Sequence, residues 1–490
     1  MNRRAWGGLA LGLGLAALLA FGAVWAWGRR PAAQPLPFLP LASDKSLGVN
    51  ADLARLSPAE REAALTEMEA AGFRWLRQRF PWEAIEPQRG TFDWEAWDAL
   101  VADVARRDLD LIAVLDGSPG WARATADAAN PLAPPAETRD FGDFAAAFAA
   151  RYGDRIDYYQ VWDEPNIAPH WGAGEIDPAA YARLLREGAI RLRAADPGAA
   201  VLLAALAPNV EPGGANMSDL LFLDALYRRG AAAWFDAAAA QPYDFGQPLD
   251  AAADPAQLNW RRATLLRQVM EAHGDVETAV WAVSFGCAPD RATLQGAVAQ
   301  ARRDWPWLGP MLWAAWSPED AHGQYAPDAA VRAALTDLAT APPRAWPGVY
   351  PADHPSGRYE GDWRVTPSGA DIGAGGDRLT IPFWGTRLDL TVRRGDYRAF
   401  LFVTVDGQPA NALPRDEAGR AYVVLYDPEA TAPQAVTLAR GLPPGEHTAE
   451  IVAERGWGQW AIVGWAAAAE SQSDFRSRAN LRFARDFGSL

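Results

Sequence analysis

The chain has 490 residues, with 46 Lys and Arg against 61 Asp and Glu and a net charge of −15. That length exceeds a single compact core and predicts two folded domains, and the acidic balance argues against a nucleic-acid or anionic-membrane surface while suiting neutral ligands. Half of the residues are hydrophobic, a globular composition. Cys287 is the sole cysteine, so no internal disulfide braces the fold. The five histidines are scattered without ligand spacing, and neither metal nor cofactor is expected.

Trp6 to Gly28 is an uncharged apolar run of 23 residues, enough to cross roughly 30 Å of hydrocarbon at about 1.5 Å per residue. Arginines flank it on both sides, and Trp25 and Trp27 stand where interfacial anchors belong. Residues 1–30 read as a transmembrane signal-anchor with the globular part outside the cytoplasm. Secretion after signal cleavage is the alternative. Residues 31–45 carry Pro31, Pro35, Pro37 and Pro40 and read as a semi-rigid linker.

From residue 46 to 341, short apolar strands alternate with amphipathic helical stretches, the pattern of parallel βα units. Strands are expected at Leu47–Asn50, Phe73–Phe80, Leu109–Leu115, Ile156–Trp162, Val201–Ala205, Ala237–Gln241, Thr278–Phe285 and Pro310–Trp316. Eight strands in this length predict an α/β fold, the (β/α)8 TIM barrel. After Pro342-Pro343, helical periodicity gives way to short alternating runs punctuated by Gly and Pro. Residues 345–469 therefore read as an all-β sandwich, and its Asp406-Gly407 turn and Leu442-Pro-Pro-Gly445-Glu-His447 hairpin resemble the galactose-binding-like jelly rolls, a resemblance that implies carbohydrate binding, with bracing of the barrel as the alternative. Residues 470–490 form a polar tail.

Functional groups of such a barrel sit at the C-terminal ends of its strands. The run Tyr158-Tyr-Gln-Val-Trp-Asp163-Glu164-Pro-Asn166 ends an apolar strand in two adjacent carboxylates. A carboxylate there is costly unless it faces a cleft or a partner. On the second strand Trp75, Arg77 and Arg79 share one face by the two-residue period. Gln241, Tyr243 and Asp244 end the sixth strand, and Ser284 ends the seventh. Trp313, Trp316, Glu319 and Asp320 end the eighth.

The Tyr158–Asn166 run resembles the Trp-Asn-Glu-Pro-Asn strand of the (β/α)8 retaining glycoside hydrolases such as families 5 and 39. Trp82-Glu-Ala-Ile-Glu86-Pro-Gln-Arg-Gly90-Thr-Phe-Asp93-Trp94 is similar to that clan's Trp-x-x-Ile-Glu-Pro-x-x-Gly-x-x-Asp-Trp segment. The resemblance implies that Glu164 is a general acid/base, that Arg77 supports the nucleophile and that Tyr243 bonds to it. It also implies an oligosaccharide or polysaccharide ligand contacted by Trp82, Trp171, Trp313 or Trp316, with His170 bordering the site. Three positions depart from the clan: Asp163 replaces its asparagine, Gln241 its histidine and Ser284 its nucleophilic glutamate.

Those departures set the functional expectations. Two adjacent carboxyls, Asp163 and Glu164, should raise at least one pKa, unless they are tied to Arg77 or Arg79 as a structural network. A retaining glycosidase needs two carboxyls about 5–5.5 Å apart, and serine cannot be one of them. A second carboxylate at Asp163, Asp244, Asp290, Glu319 or Asp320 would restore hydrolysis, through an inverting route at about 6.5–9.5 Å. Without one, the chain is a catalytically inactive, membrane-tethered saccharide-binding or scaffold protein.

Overall fold

The computed structural model describes residues 40–456, 458 and 460–469. The apolar run Trp6–Gly28, most of the proline-rich linker and the tail from residue 470 lie outside them. Among the described residues no helix is long and apolar enough to cross a membrane.

All eight expected barrel strands form: β1 (Leu47–Asn50), β2 (Trp75–Pro81), β3 (Asp110–Asp116), β4 (Tyr158–Val161), β5 (Ala200–Leu202), β6 (Ala237–Ala240), β7 (Ala279–Phe285) and β8 (Leu308–Trp313). They close in sequence order, with β8 returning to β1 through Leu47↔Met311 and Val49↔Trp313. Every strand is buried along most of its length, as parallel strands covered by helices must be. Helices Pro58–Ala70, Glu95–Ala105, Thr138–Tyr152, Pro178–Ala195, Asp219–Tyr227, Ala263–Ala272, Arg291–Asp304 and Ala329–Ala339 supply that cover. Pro58–Ala70 begins at a Ser57/Glu60 capping box.

Alternate residues fill the barrel interior and the outer shell. At the base, Trp75 meets Tyr158 and Trp281 edge to face while Tyr158 and Trp281 lie tilted, with centroids 4.9 to 5.2 Å apart. Alanines 205, 237, 239 and 279 share their cluster, so large rings are offset by small neighbours. Gly48 and Gly309 are required here. A Cβ on Gly48 would meet the Trp75 carbonyl oxygen at 2.3 Å, and one on Gly309 would meet Trp281 at 2.6 Å. The described end of the linker belongs to this base, because Trp281 donates to the Leu41 carbonyl at 2.8 Å and Lys45 Nζ to the Leu308 carbonyl at 2.6 Å.

Arg262 pins the long loops beside β5 and β6 that frame the barrel mouth. Its guanidinium donates to both Asp219 oxygens and to the carbonyls of Asn209, Pro255 and Gln257. Both members of the ion pair are at least 97% buried. The sandwich follows as two six-stranded antiparallel sheets. Its longer strands include Arg378–Gly385, Arg387–Val392 and Phe400–Val405. Asp406 and Gly407 take φ of 52° and 73° between Val405 and Gln408, a two-residue turn whose twist suits a hairpin.

Removing one member of a buried ion pair strands the other charge, at a cost of about 3–5 kcal/mol. Asp219→Asn should therefore lower unfolding free energy by about that amount in urea titrations, whereas Arg358→Gln, an exposed substitution, should change it by less than about 0.5 kcal/mol.

Candidate active site

The site begins where β4 stops being regular. Trp162 and Glu164 take φ of 68° and 47°, left-handed values that a side chain adopts only under constraint from its surroundings. In an ordinary strand Asp163 and Glu164 would face opposite sides. The two left-handed residues break that alternation. Trp162 packs outward into the helix shell, while Asp163 reaches the inward-facing Arg77 and Glu164 reaches the end of β6. The Glu164 amide donates to the Ala205 carbonyl at 2.9 Å, which fixes the turn. Asn166 locks it further through three hydrogen bonds to Ala207 and Met217.

Glu164 is buried and holds two contacts. Gln241 Nε2 donates to its Oε1 at 2.9 Å, and His170 Nε2 lies 3.5 Å from its Oε2. Gln241 Oε1 has no partner among the described residues and is buried, so one acceptor beside Glu164 is left for a hydroxyl group to satisfy.

Asp163 does not sit free beside Glu164. Arg77 Nη2 donates to its Oδ1 at 2.7 Å and Gln160 Nε2 donates to the same oxygen at 2.9 Å. Arg77 also donates to Gln160 Oε1 and Asn50 Oδ1, each at 3.0 Å. Burial pushes the Asp163 carboxyl up, but Arg77, His170 and the two hydrogen-bond donors outweigh it and hold the pKa below 3.8. Of the two adjacent carboxyls, of which at least one was expected to have a raised pKa, Asp163 is lowered, and it is Asp163 that is tied to Arg77.

Ser284 is delivered by an irregularity in β7. Ala282 pairs with Met311 and Phe285 with Trp313, so β7 spends one more residue than β8 over that step. The extra residue is a bulge, which re-aims side chains beside a site. Trp281 and Val283 face inward, yet Phe285 packs in the outer shell. Ser284 Oγ, 1% exposed, meets Tyr243 Oη at 2.7 Å. Burial drives the Tyr243 phenol far above its usual pKa, so it remains protonated at neutral pH. Ser284 therefore faces a phenol, not a base, and lacks the partner that activates a serine nucleophile.

Several expected contacts do not form. Trp82, Trp171, Trp313 and Trp316 are 0%, 6%, 1% and 8% exposed and all belong to the shell between strands and helices. Trp82 Nε1 donates to Glu86 and Trp313 Nε1 to the Tyr325 carbonyl, and Arg332 covers the Trp316 ring at 3.9 Å. These rings are framework and offer a saccharide no open face. Tyr243 is likewise buried, stacked on Tyr325 at 5.1 Å. Aromatic surface near it comes instead from Phe245, 41% exposed and 5.8 Å from Tyr243.

Three of the other proposed carboxylates are engaged in hydrogen bonds from backbone amides. Asp244 accepts from the amides of Gly246 and Ala288, and Asp320 from those of Asp52, Trp316 and Ser317. Asp290 caps the helix Arg291–Asp304 through the Thr293 amide, and Glu319 is exposed. The carboxylate that sequence reasoning missed is Asp116, the inward-facing end of β3. Both its oxygens accept from Arg79 Nε, at 2.7 and 2.8 Å. Burial raises its pKa against the pull of Arg79, with Asp163 adding to the rise. Its even spacing from Ile112 was the available signal. Asn50 and Gln160, which complete the Arg77 cradle, carried none.

Residues 56–130 match the sequence model of glycoside hydrolase family 42, β-galactosidase. The match contains the Trp82–Trp94 segment, whose Glu86 clamps the loop through Trp82 Nε1 and the Gly90 amide. Over these residues the chain is similar to glycoside hydrolase family 42, and its closed eight-stranded parallel barrel agrees with the resemblance. No curated protein matches it in sequence. Among solved structures it is similar to a family 39 glycoside hydrolase from Bacteroides cellulosilyticus WH2, at 14% identity over 85% of this chain and 82% of that one, with a TM-score of 0.47. The endo-1,4-beta-mannanase from Rhizomucor miehei aligns at 13% identity over 62% of this chain and 99% of that one, TM-score 0.45.

The Arg77–Asp163 pair has a defined pH signature. A carboxyl whose folded pKa lies below its unfolded value contributes stability above the unfolded value, and loses it as pH falls through the folded one. Asp163→Asn should therefore lower the melting midpoint at pH 7, and the gap to wild type should close below about pH 3.8. A gap independent of pH would contradict the ion pair.

Proposed function

We propose that the protein binds an oligosaccharide or polysaccharide at the mouth of its glycosidase barrel and does not cleave it by the retaining mechanism. The observation that carries this reading is Ser284, hydrogen-bonded at 2.7 Å to a protonated Tyr243 at the position where the resemblance puts the nucleophile. Retaining hydrolysis stores the glycosyl group on a carboxylate. Removing a catalytic nucleophile costs several powers of ten in rate. Binding groups remain: Glu164, the open acceptor Gln241 Oε1, His170 and exposed Phe245 suit a neutral polyhydroxylated ligand. The apolar run Trp6–Gly28 supports a membrane station with the barrel outside the cytoplasm, where such polymers are met.

Calorimetric titration of the full chain against a panel of neutral oligosaccharides tests this directly. At least one member should bind with Kd in the range of about 1 μM to 1 mM. Glu164→Ala and Gln241→Ala should each weaken it about tenfold, the loss of one buried hydrogen bond to a polar group. A panel without measurable heats sinks the saccharide reading.

Asp116 favours a second reading, an enzyme with a relocated carboxylate, because it is a buried carboxyl at the end of β3 whose charge acts on that of Asp163. That reading predicts aryl-glycoside hydrolysis abolished by Glu164→Gln and by Asp116→Asn alike. The first predicts none to abolish.

A further inference from the structure

The loop that follows β6 and the helix Arg291–Asp304 leave a groove of about 650 Å³ between them. That volume lies within the range of about 300–1,000 Å³ found for ligand sites. Asp244 staples the two walls together at the mouth end, accepting from the Gly246 amide on one side and the Ala288 amide on the other. Leu249 lies against the helix at Gly296, where an added Cβ would meet Leu249 Cδ1 at 3.4 Å. Thr293, Gly296, Gln300 and Arg303 succeed one another along one helix face. From Thr293 to Arg303 that face extends about 15 Å, at about 1.5 Å per residue, down the flank of the barrel. At the far end the Arg303 guanidinium lies 5.9 Å from the Trp384 ring of the sandwich.

The lining is polar and unspent. The side chains of Gln247, Asp250 and Gln300 face no hydrogen-bond partner among the described residues. With Arg303 they offer amide donors and acceptors, a carboxylate and a guanidinium, a mixture that hydroxyl groups satisfy because each donates and accepts. Asp250 and Arg303 carry opposite charges, and Asp244 is already engaged by the wall amides, so neither sign dominates. A neutral ligand fits better than an ionic one. Phe245 joins this groove to the mouth, since it precedes Gly246 and its ring stands 5.8 Å from that of Tyr243. Phe245 and Gly246 take φ of 49° and 73°. A bulky residue in the left-handed region is strained, and such strain gathers at ligand clamps. Here it accompanies an aromatic ring that is 41% exposed between mouth and groove.

We propose that the groove is a second saccharide site continuous with the barrel mouth, so that the protein holds a neutral polysaccharide chain more tightly than a short oligosaccharide. This rests on the saccharide reading of the mouth and adds chain length to it. A chain leaving the mouth crosses Phe245 and lies along the helix face, where Asp250, Gln300 and Arg303 meet its hydroxyls.

Calorimetric titration of the full chain with matched disaccharides and hexasaccharides of neutral glucan, mannan, xylan and galactan series tests this. In the series that binds, the hexasaccharide should bind about tenfold more tightly than the disaccharide, the contribution of one or two added hydrogen bonds. Asp250→Ala/Gln300→Ala should remove most of that gain and leave disaccharide affinity within about twofold. Ala299→Met, which narrows the groove from an exposed helix position, should do the same. Surface changes of this kind should leave the melting midpoint within about 2 °C of wild type. Equal affinity for the two lengths, or a hexasaccharide affinity untouched by both variants, would overturn the groove site while disaccharide binding leaves the mouth reading standing. Absence of binding by every saccharide would sink both, so the two failures are distinguishable.

Discussion

A guanidinium held in the mouth of a parallel barrel must be neutralised by something. Arg77 is a tenth exposed, and its donors are spread over Asn50 on β1, Gln160 on β4 and Asp163 just beyond β4. Asp163 is the one charged group among these partners. The low pKa of Asp163 is the same statement in protonation terms. The hydrogen bond from Gln241, together with His170, then defines the surroundings of Glu164 as a separate, second centre.

Two backbone irregularities deliver these groups. Left-handed φ at Trp162 and Glu164 turns two consecutive carboxylates into the mouth, and the extra residue in β7 turns Ser284 toward Tyr243. Regular strands would have sent alternate residues into the shell. The rest of the barrel supports this geometry by rigidity. Rings of Trp75, Tyr158 and Trp281 fill the base, Asn166 ties the β4 turn to the β5 loop, and the Arg262–Asp219 pair anchors the loops beside it.

The strands were legible because each is a short apolar run between helical periods, and burial enforces that pattern. Arg77 facing inward followed from the two-residue period. Glu164 was legible as a strand-end carboxylate beside a proline. The tryptophans misled for a physical reason: a ring large enough to floor a sugar is equally suited to filling the strand–helix shell, and Trp82 and Trp313 do the latter. The bulge at Ser284 and the cradle of Asn50 and Gln160 depend on pairing between distant strands, which no local pattern encodes. The Asp163 pKa is lowered although a second carboxyl follows it in sequence, because its ion-pair partner Arg77 stands 86 positions earlier in the chain.

The account stands on a barrel mouth that presents Glu164 and carries a serine at position 284. Following oligosaccharides by proton NMR in the presence of the wild-type protein tests that claim most directly. The account predicts that no anomeric product accumulates with retained configuration, even over long incubation. Hydrolysis with net retention, abolished by Glu164→Gln, would contradict it.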